Sequence, residues 1–213
     1  MSEESAAKPR GGLLRWALWG AAAIGVAGVV YIIAQSSTNP AQPKVATGPA
    51  PASAMASTTP FASKVSRPGQ PTPPPDLALL DANGKSVKIA DLKGKVVVMN
   101  IWATWCAPCK LEMPTLAKLQ ADYAGKGVVV MPVSIDSDDK AAEAQADIAR
   151  QAPLGFWRDK QMKLPFKLAP PAEGTPTTVI YGRNGLEVAR VTGEADWTSP
   201  EARALIDQAL AAS

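Results

Sequence analysis

An α/β domain over residues 76–213, set behind an N-terminal transmembrane helix and a proline-rich linker, is what this sequence predicts. Three observations lead there. From Asp76 onward, apolar runs of strand length alternate with longer segments of helical apolar spacing. Trp16 to Ala34 carries no charged residue. Ten of the 20 prolines fall between Pro40 and Pro75, leaving residues 76–213 as the stretch able to bury one core.

Residues 1–15 read as a cytoplasmic tail and 16–35 as a membrane span. At about 1.5 Å of rise per residue, a helix of this length just crosses a hydrocarbon layer of about 30 Å. Lys8, Arg10 and Arg15 precede the run, and the next basic residue is Lys44. The positive-inside tendency then keeps the N-terminus in the cytoplasm and exports the rest. A cleaved signal peptide shares this charge order, with Ala34-Gln35-Ser36 as a small-x-small site, although its apolar region is usually only about 7–15 residues. Both readings export the domain. Residues 36–75, rich in Pro, Ala, Ser and Thr, read as a disordered spacer.

Within residues 76–213 the elements follow in order. Leu77–Leu80 and Val87–Ile89 flank Asn83-Gly84 and read as a hairpin. Val96–Trp102 is a continuous apolar run suited to a buried central strand. A helix follows from about Cys106, with Met113, Leu116, Leu119 and Tyr123 on its inner face. Val128–Ile135 is the next strand and Asp138–Gln151 an Ala-rich helix. Thr177–Tyr181 and Leu186–Val191 pair around Gly182-Arg183-Asn184-Gly185. Ser199 and Pro200 open a last helix that turns Leu205, Ile206, Ala209 and Leu210 inward.

Charge excludes one class of function. Of 22 basic residues six precede Asp76, as do two of 19 acidic ones, so the domain keeps sixteen against seventeen. No basic face for nucleic acid is expected. The chain has no histidine, which removes Cys–His and Ser–His nucleophile pairs and the usual imidazole metal ligand. Its two cysteines, Cys106 and Cys109, are three apart. Two thiols without histidine do not make a structural zinc site, and so short a loop staples little of the unfolded chain.

A redox role fits better. A Cys-x-x-Cys placed after a buried strand and at a helix start sets the first sulfur against unpaired N–H groups and the positive helix end. Its pKa then falls below about 8.5, so Cys106 is the expected attacking thiolate and Cys109 the resolving thiol. Pro108 lacks an N–H and suits the first turn, and Ala107 leaves the sulfur accessible.

The run Trp102-Ala103-Thr104-Trp105-Cys106-Ala107-Pro108-Cys109-Lys110 resembles the active-site segment of the thioredoxin superfamily. Glu112 and Pro114 narrow the resemblance to TlpA-like, membrane-anchored reductases, the branch of the ResA and CcmG types. Gly174-Thr175-Pro176-Thr177-Thr178 is similar to that family's cis-proline loop, and residues 193–199 to the stretch before its last helix. The resemblance implies a thioredoxin fold, with a mixed sheet flanked by helices. It implies that Trp105 shields and positions the cysteine pair, and that Thr175 and a cis Pro176 dock an extended partner chain. Asn100 stands where cytoplasmic thioredoxins place a buried acid. The branch moves that acid to Glu112, which would take the Cys109 proton; a solvated glutamate paired with Lys110 or Lys118 is the rival reading.

The resemblance further implies a periplasmic protein-disulfide reductase of the bacterial inner membrane, with neither cofactor nor metal. Its expected substrates are exported proteins with cysteine pairs, of copper-chaperone or apocytochrome type, in cytochrome oxidase or cytochrome c biogenesis. A membrane thiol–disulfide transporter would supply electrons. A disulfide-forming oxidant and a Cu(I) metallochaperone remain the alternatives.

Overall fold

The computed structural model describes residues 59–212. The expected tail (1–15), membrane span (16–35) and most of the spacer lie outside these residues. Among the described residues no helix is long and apolar enough to cross a membrane.

Among the described residues, eight strands form one mixed sheet. β4 (Val96–Trp102) is buried at every position and lies near the middle. It runs parallel to β5 (Val128–Ser134) and antiparallel to β7 (Thr177–Tyr181). A strand with neighbours on both edges and cover on both faces needs apolar side chains throughout, hence the unbroken VVVMNIW. Its one strongly polar residue, Asn100, reappears below. α2 (Ala107–Asp122) connects β4 to β5, and buries Met113, Leu116 and Leu119 as the spacing predicts.

Outside β7 lies β8 (Glu187–Thr192), antiparallel to it. On the other side, the two-residue β6 (Trp157–Arg158) joins β5 to the hairpin β2 (Leu79–Asp81) and β3 (Ser86–Val87). The hairpin turn works through its side chains. Asp81 Oδ1 accepts from the N–H groups of Asn83 (2.8 Å) and Lys85 (2.9 Å), and Gly84 supplies φ 76°. α3 (Ala141–Ala149) starts after a 3-10 turn at Asp138–Lys140, so the helix expected from Asp138 begins three residues later. α4 (Leu164–Lys167) and β6 are elements that the sequence pattern does not reveal, being too short for a period. α5 (Pro200–Ala211) closes the chain, its first turn capped by the Ser199 hydroxyl accepting from Ala202 N–H at 3.2 Å.

One boundary needs correcting. The spacer expected over 36–75 gives way to ordered structure before Asp76. α1 (Phe61–Lys64) leads into β1 (Val65–Ser66), which pairs antiparallel with β8 through Val65↔Val191 and Ser66↔Arg190. Phe61 and Val65 pack against the core. In a Pro- and Ser-rich stretch these two apolar residues show no period, and only the fold supplies their partners, the β8 edge for Val65 and Trp197 for Phe61. Farther on, Thr72 C=O accepts from Glu187 N–H at 2.8 Å.

A buried ion pair anchors this edge. Arg190 donates to both carboxylate oxygens of Glu187 (3.0 and 2.9 Å) and to Pro170 C=O (2.6 Å), while the Thr72 hydroxyl adds a bond to Glu187 at 3.4 Å. The pair therefore ties β8 to the residues before β2 and to the segment leading into Pro176. With both side chains 7% exposed or less, removing one partner strands the other's charge. Arg190→Met is expected to lower stability by about 3 kcal/mol in denaturant unfolding, and the double variant Glu187→Leu/Arg190→Met to recover much of that loss.

Candidate active site

Cys106 occupies the N-cap of α2, with Ala107 and Pro108 opening the first turn. Its Sγ accepts from Cys109 N–H at 3.3 Å, and Cys106 C=O accepts from Lys110 N–H at 3.2 Å. The sulfur thus sits among the unpaired amides of the helix start, as its position in the sequence implies. Cys106 and Cys109 are joined in a disulfide, with Cα atoms 5.3 Å apart. Cys106 is 4% exposed and Cys109 fully buried. Trp105, just before the pair, is 64% exposed, an apolar surface open to solvent.

The loop between β4 and α2 is held from below by Asp136, a buried acid just past the end of β5. One carboxylate oxygen accepts from Thr104 N–H at 3.1 Å and from the Thr104 hydroxyl at 2.8 Å; the other accepts from Thr104 N–H at 3.0 Å and from the Ser134 hydroxyl at 2.9 Å. Cys106 N–H then donates to Ala103 C=O at 3.1 Å, completing the turn. Neither Thr104 nor Asp136 is singled out by the sequence; an acid at the C-terminal end of a buried strand is the signal that could have found them.

Glu112 is 1% exposed, which rules out the solvated reading. Lys110 pairs instead with Asp147 at 3.2 Å, and Lys118 with Asp122 at 3.0 Å. Three donors from two distant parts of the chain converge on the carboxyl. Asn100 Nδ2 reaches Oε1 at 2.7 Å, while Ala195 N–H and Trp197 Nε1 reach Oε2 at 3.1 and 3.2 Å. Asn100 Nδ2 also donates to the Thr178 hydroxyl at 2.9 Å, so β4 and β7 both stand behind the acid. Burial pushes the Glu112 pKa up to about 7 against the pull of these hydrogen bonds, and the nearby Glu194 adds to the rise. A carboxyl balanced near neutrality, three residues after Cys109 on one helix face, suits proton exchange. Trp197 is fully buried and is also a hydrogen-bond donor to Glu112.

Thr175 and Pro176 lie at the same end of the sheet. Thr177 pairs with Ile101, which puts Pro176 alongside the end of β4 that feeds the cysteine loop. The Thr175–Pro176 bond is cis, and Pro176 C=O accepts from Gly193 N–H at 2.9 Å. Pro176 is buried and Thr175 partly exposed.

With this geometry the comparisons agree. Residues 67–206, well over half of the chain, match the Redoxin family. The chain belongs to the redoxin family. Among its relatives is the thiol-disulfide oxidoreductase ResA of Bacillus subtilis (strain 168), 32% identical over 120 residues, or 56% of this redoxin and 65% of that protein. The redoxin thus spans just under two thirds of that relative's length. A solved structure of a candidate thiol:disulfide interchange protein DsbE from Chlorobium tepidum is 29% identical with a TM-score of 0.55, covering 67% of this redoxin and 95% of that chain. A candidate thioredoxin from Neisseria meningitidis is 30% identical with a TM-score of 0.56, covering 67% and 92%. The protein is a TlpA/ResA/CcmG-type redoxin with a thioredoxin fold.

The raised Glu112 pKa has a consequence for stability. Unfolded, the carboxyl loses its proton near 4.5; folded, near 7. Between those values the folded state holds the extra proton, so stability falls as pH rises through the window and stays lowered above it. A shift of this size corresponds to about 3 kcal/mol. Glu112→Gln is expected to remove this slope, so denaturant unfolding of the oxidised protein at pH 4.5 and pH 8 should differ less than in the wild type. An undiminished slope would place the titrating group elsewhere.

Proposed function

We propose that this redoxin is a thiol–disulfide oxidoreductase that reduces disulfides of exported proteins on the periplasmic side of the bacterial inner membrane, held there by residues 16–35. The observation that carries the exchange chemistry is the Cys106–Cys109 disulfide at the N-cap of α2, with the buried Glu112 carboxyl one turn behind it.

In the reduced protein the Cys106 thiolate attacks one sulfur of the substrate disulfide. A Cys106–substrate disulfide forms, the substrate S–S bond breaks, and the leaving sulfur takes up a proton. Cys109 then gives its proton to the Glu112 carboxylate and attacks Cys106 Sγ; the second substrate sulfur leaves as a thiolate and takes up the proton that Glu112 received, becoming a thiol. Two electrons and two protons have moved to the substrate, and the protein carries the disulfide seen here. Re-reduction by a membrane thiol–disulfide transporter restores the dithiol. Thr175, Pro176 and the exposed Trp105 form the surface for an extended substrate segment, by addition alongside the chain. The names of the relatives support thiol–disulfide exchange. Cysteine pairs awaiting copper or haem, in cytochrome oxidase or cytochrome c assembly, are the proposed substrate class.

Cys109→Ser tests the mechanism and names the substrates. Expressed in cells, this variant should accumulate as a covalent complex that reducing agent dissolves and that Cys106→Ser never forms. Mass spectrometry of the trapped partners should return proteins of copper- or haem-site assembly. A broad set of newly exported proteins would point to the oxidising direction, and no trapping at all would end the exchange reading. For the location, a reporter active only outside the cytoplasm should work when fused after Pro75, with the protein remaining in the membrane fraction. Recovery in the soluble fraction would replace the anchor with a cleaved signal.

A further inference from the structure

The segment from Phe61 to Arg67 lies almost wholly before the family match, which begins at its last residue, yet its contacts converge on one part of the active site. Phe61 meets the Trp197 indole edge-on, with ring centroids 5.7 Å apart and planes at 85°. The Lys64 ammonium donates to Glu194 C=O. Val65 pairs with Val191, just upstream in β8, and Arg67 Nη2 donates to Gln208 on α5 at 3.2 Å. The residues held in this way, 194–197, supply two of the three donors to Glu112. The same loop is fastened to α2 by the Thr115 hydroxyl, which accepts from Trp197 N–H at 3.2 Å.

We propose that residues 61–67 form a strap that positions the active-site acid: Phe61, through Trp197, keeps the 194–197 loop closed over Glu112 and water away from it. Phe61 is then a positioning residue that touches neither cysteine nor substrate. Edge-to-face contact orients the indole so that Nε1 points at Oε2. The loop also carries the Ala195 amide. Without the strap, Trp197 would lose the ring that packs against its indole.

The charged and titratable groups around Glu112 are few. Cys109 lies on its own helix, Glu194 on the loop, and Lys64 on the strap donates to the Glu194 carbonyl. β4 and β7 offer the neutral Asn100 and Thr178. Since burial outweighs the hydrogen bonds in setting the Glu112 proton affinity, opening the loop admits water and lowers it. The relevance to catalysis rests on the proton-acceptor role proposed above; the positioning itself does not.

The test is NMR titration of the full chain in detergent micelles, with 13C-labelled glutamate side chains and the Glu112 signal assigned through Glu112→Gln. In oxidised wild type the midpoint should lie near 7. Phe61→Ala should bring it down by about one pH unit as the carboxyl is hydrated. Phe61→Tyr, which keeps the ring edge, should restore the wild-type midpoint. If Phe61→Ala fails to fold, Phe61→Leu gives the same reading with apolar volume retained. A midpoint that stays put or rises without the ring, or that falls equally in Phe61→Tyr, overturns the strap. Rates of mixed-disulfide resolution across pH, measured on the same variants, separate the two ideas. A moved midpoint with unmoved rates leaves the strap standing and removes Glu112 from the mechanism; a Glu112→Gln effect on rates with an unmoved Phe61→Ala midpoint does the reverse.

Discussion

Burying a carboxyl without a neighbouring cation is expensive, and around Glu112 the chain meets that requirement with neutral donors alone. Asn100 comes from the central strand, Ala195 and Trp197 from the loop before the last helix, and Glu112 itself from the helix after the cysteines. Each donor is useful only while the others are in place, because a partly satisfied buried acid is worse than none. The carboxyl therefore couples sheet, helix and C-terminal loop, and the cysteine pair is built on the same helix.

Two buried acids divide the work of the site. Asp136 is saturated by Thr104 and Ser134 and fixes the backbone two residues before Cys106. Glu112 also has three donors, and burial, which outweighs their pull, raises its pKa to about 7. The two acids differ in where their donors come from: those of Asp136 lie on the cysteine loop and the end of β5, those of Glu112 on β4 and the 194–197 loop.

The far edge of the sheet serves the site too. β8 carries the Glu187–Arg190 pair that gathers Thr72 and Pro170, and it is followed by Gly193, whose N–H meets Pro176 C=O. The Thr175–Pro176 loop and the 194–197 loop beside Glu112 thus leave the sheet from adjacent strand ends. Edge strands of only two residues, such as β1, also limit how much open edge the sheet presents to other chains.

Local pattern determined much of this in the sequence itself. The apolar run of β4, the helical spacing of Met113, Leu116 and Leu119, the Asn83-Gly84 turn and the Ser199 cap each state their structure within a few residues. The Cys106–Cys109 pair announces its chemistry by spacing and by position at a helix start. Residues whose meaning depends on distant partners are not legible in that way. Nothing local marks Trp197 as a donor to Glu112, Asp136 as the support for Thr104, or Phe61 as part of the fold, because each meets its partner across 32 or more residues of chain. Glu112 lies between these cases. Its position on the helix was readable, but whether it stood in water or in the core was decided only when β4, α2 and the 194–197 loop packed around it, since burial and hydrogen-bond satisfaction are properties of the assembled fold.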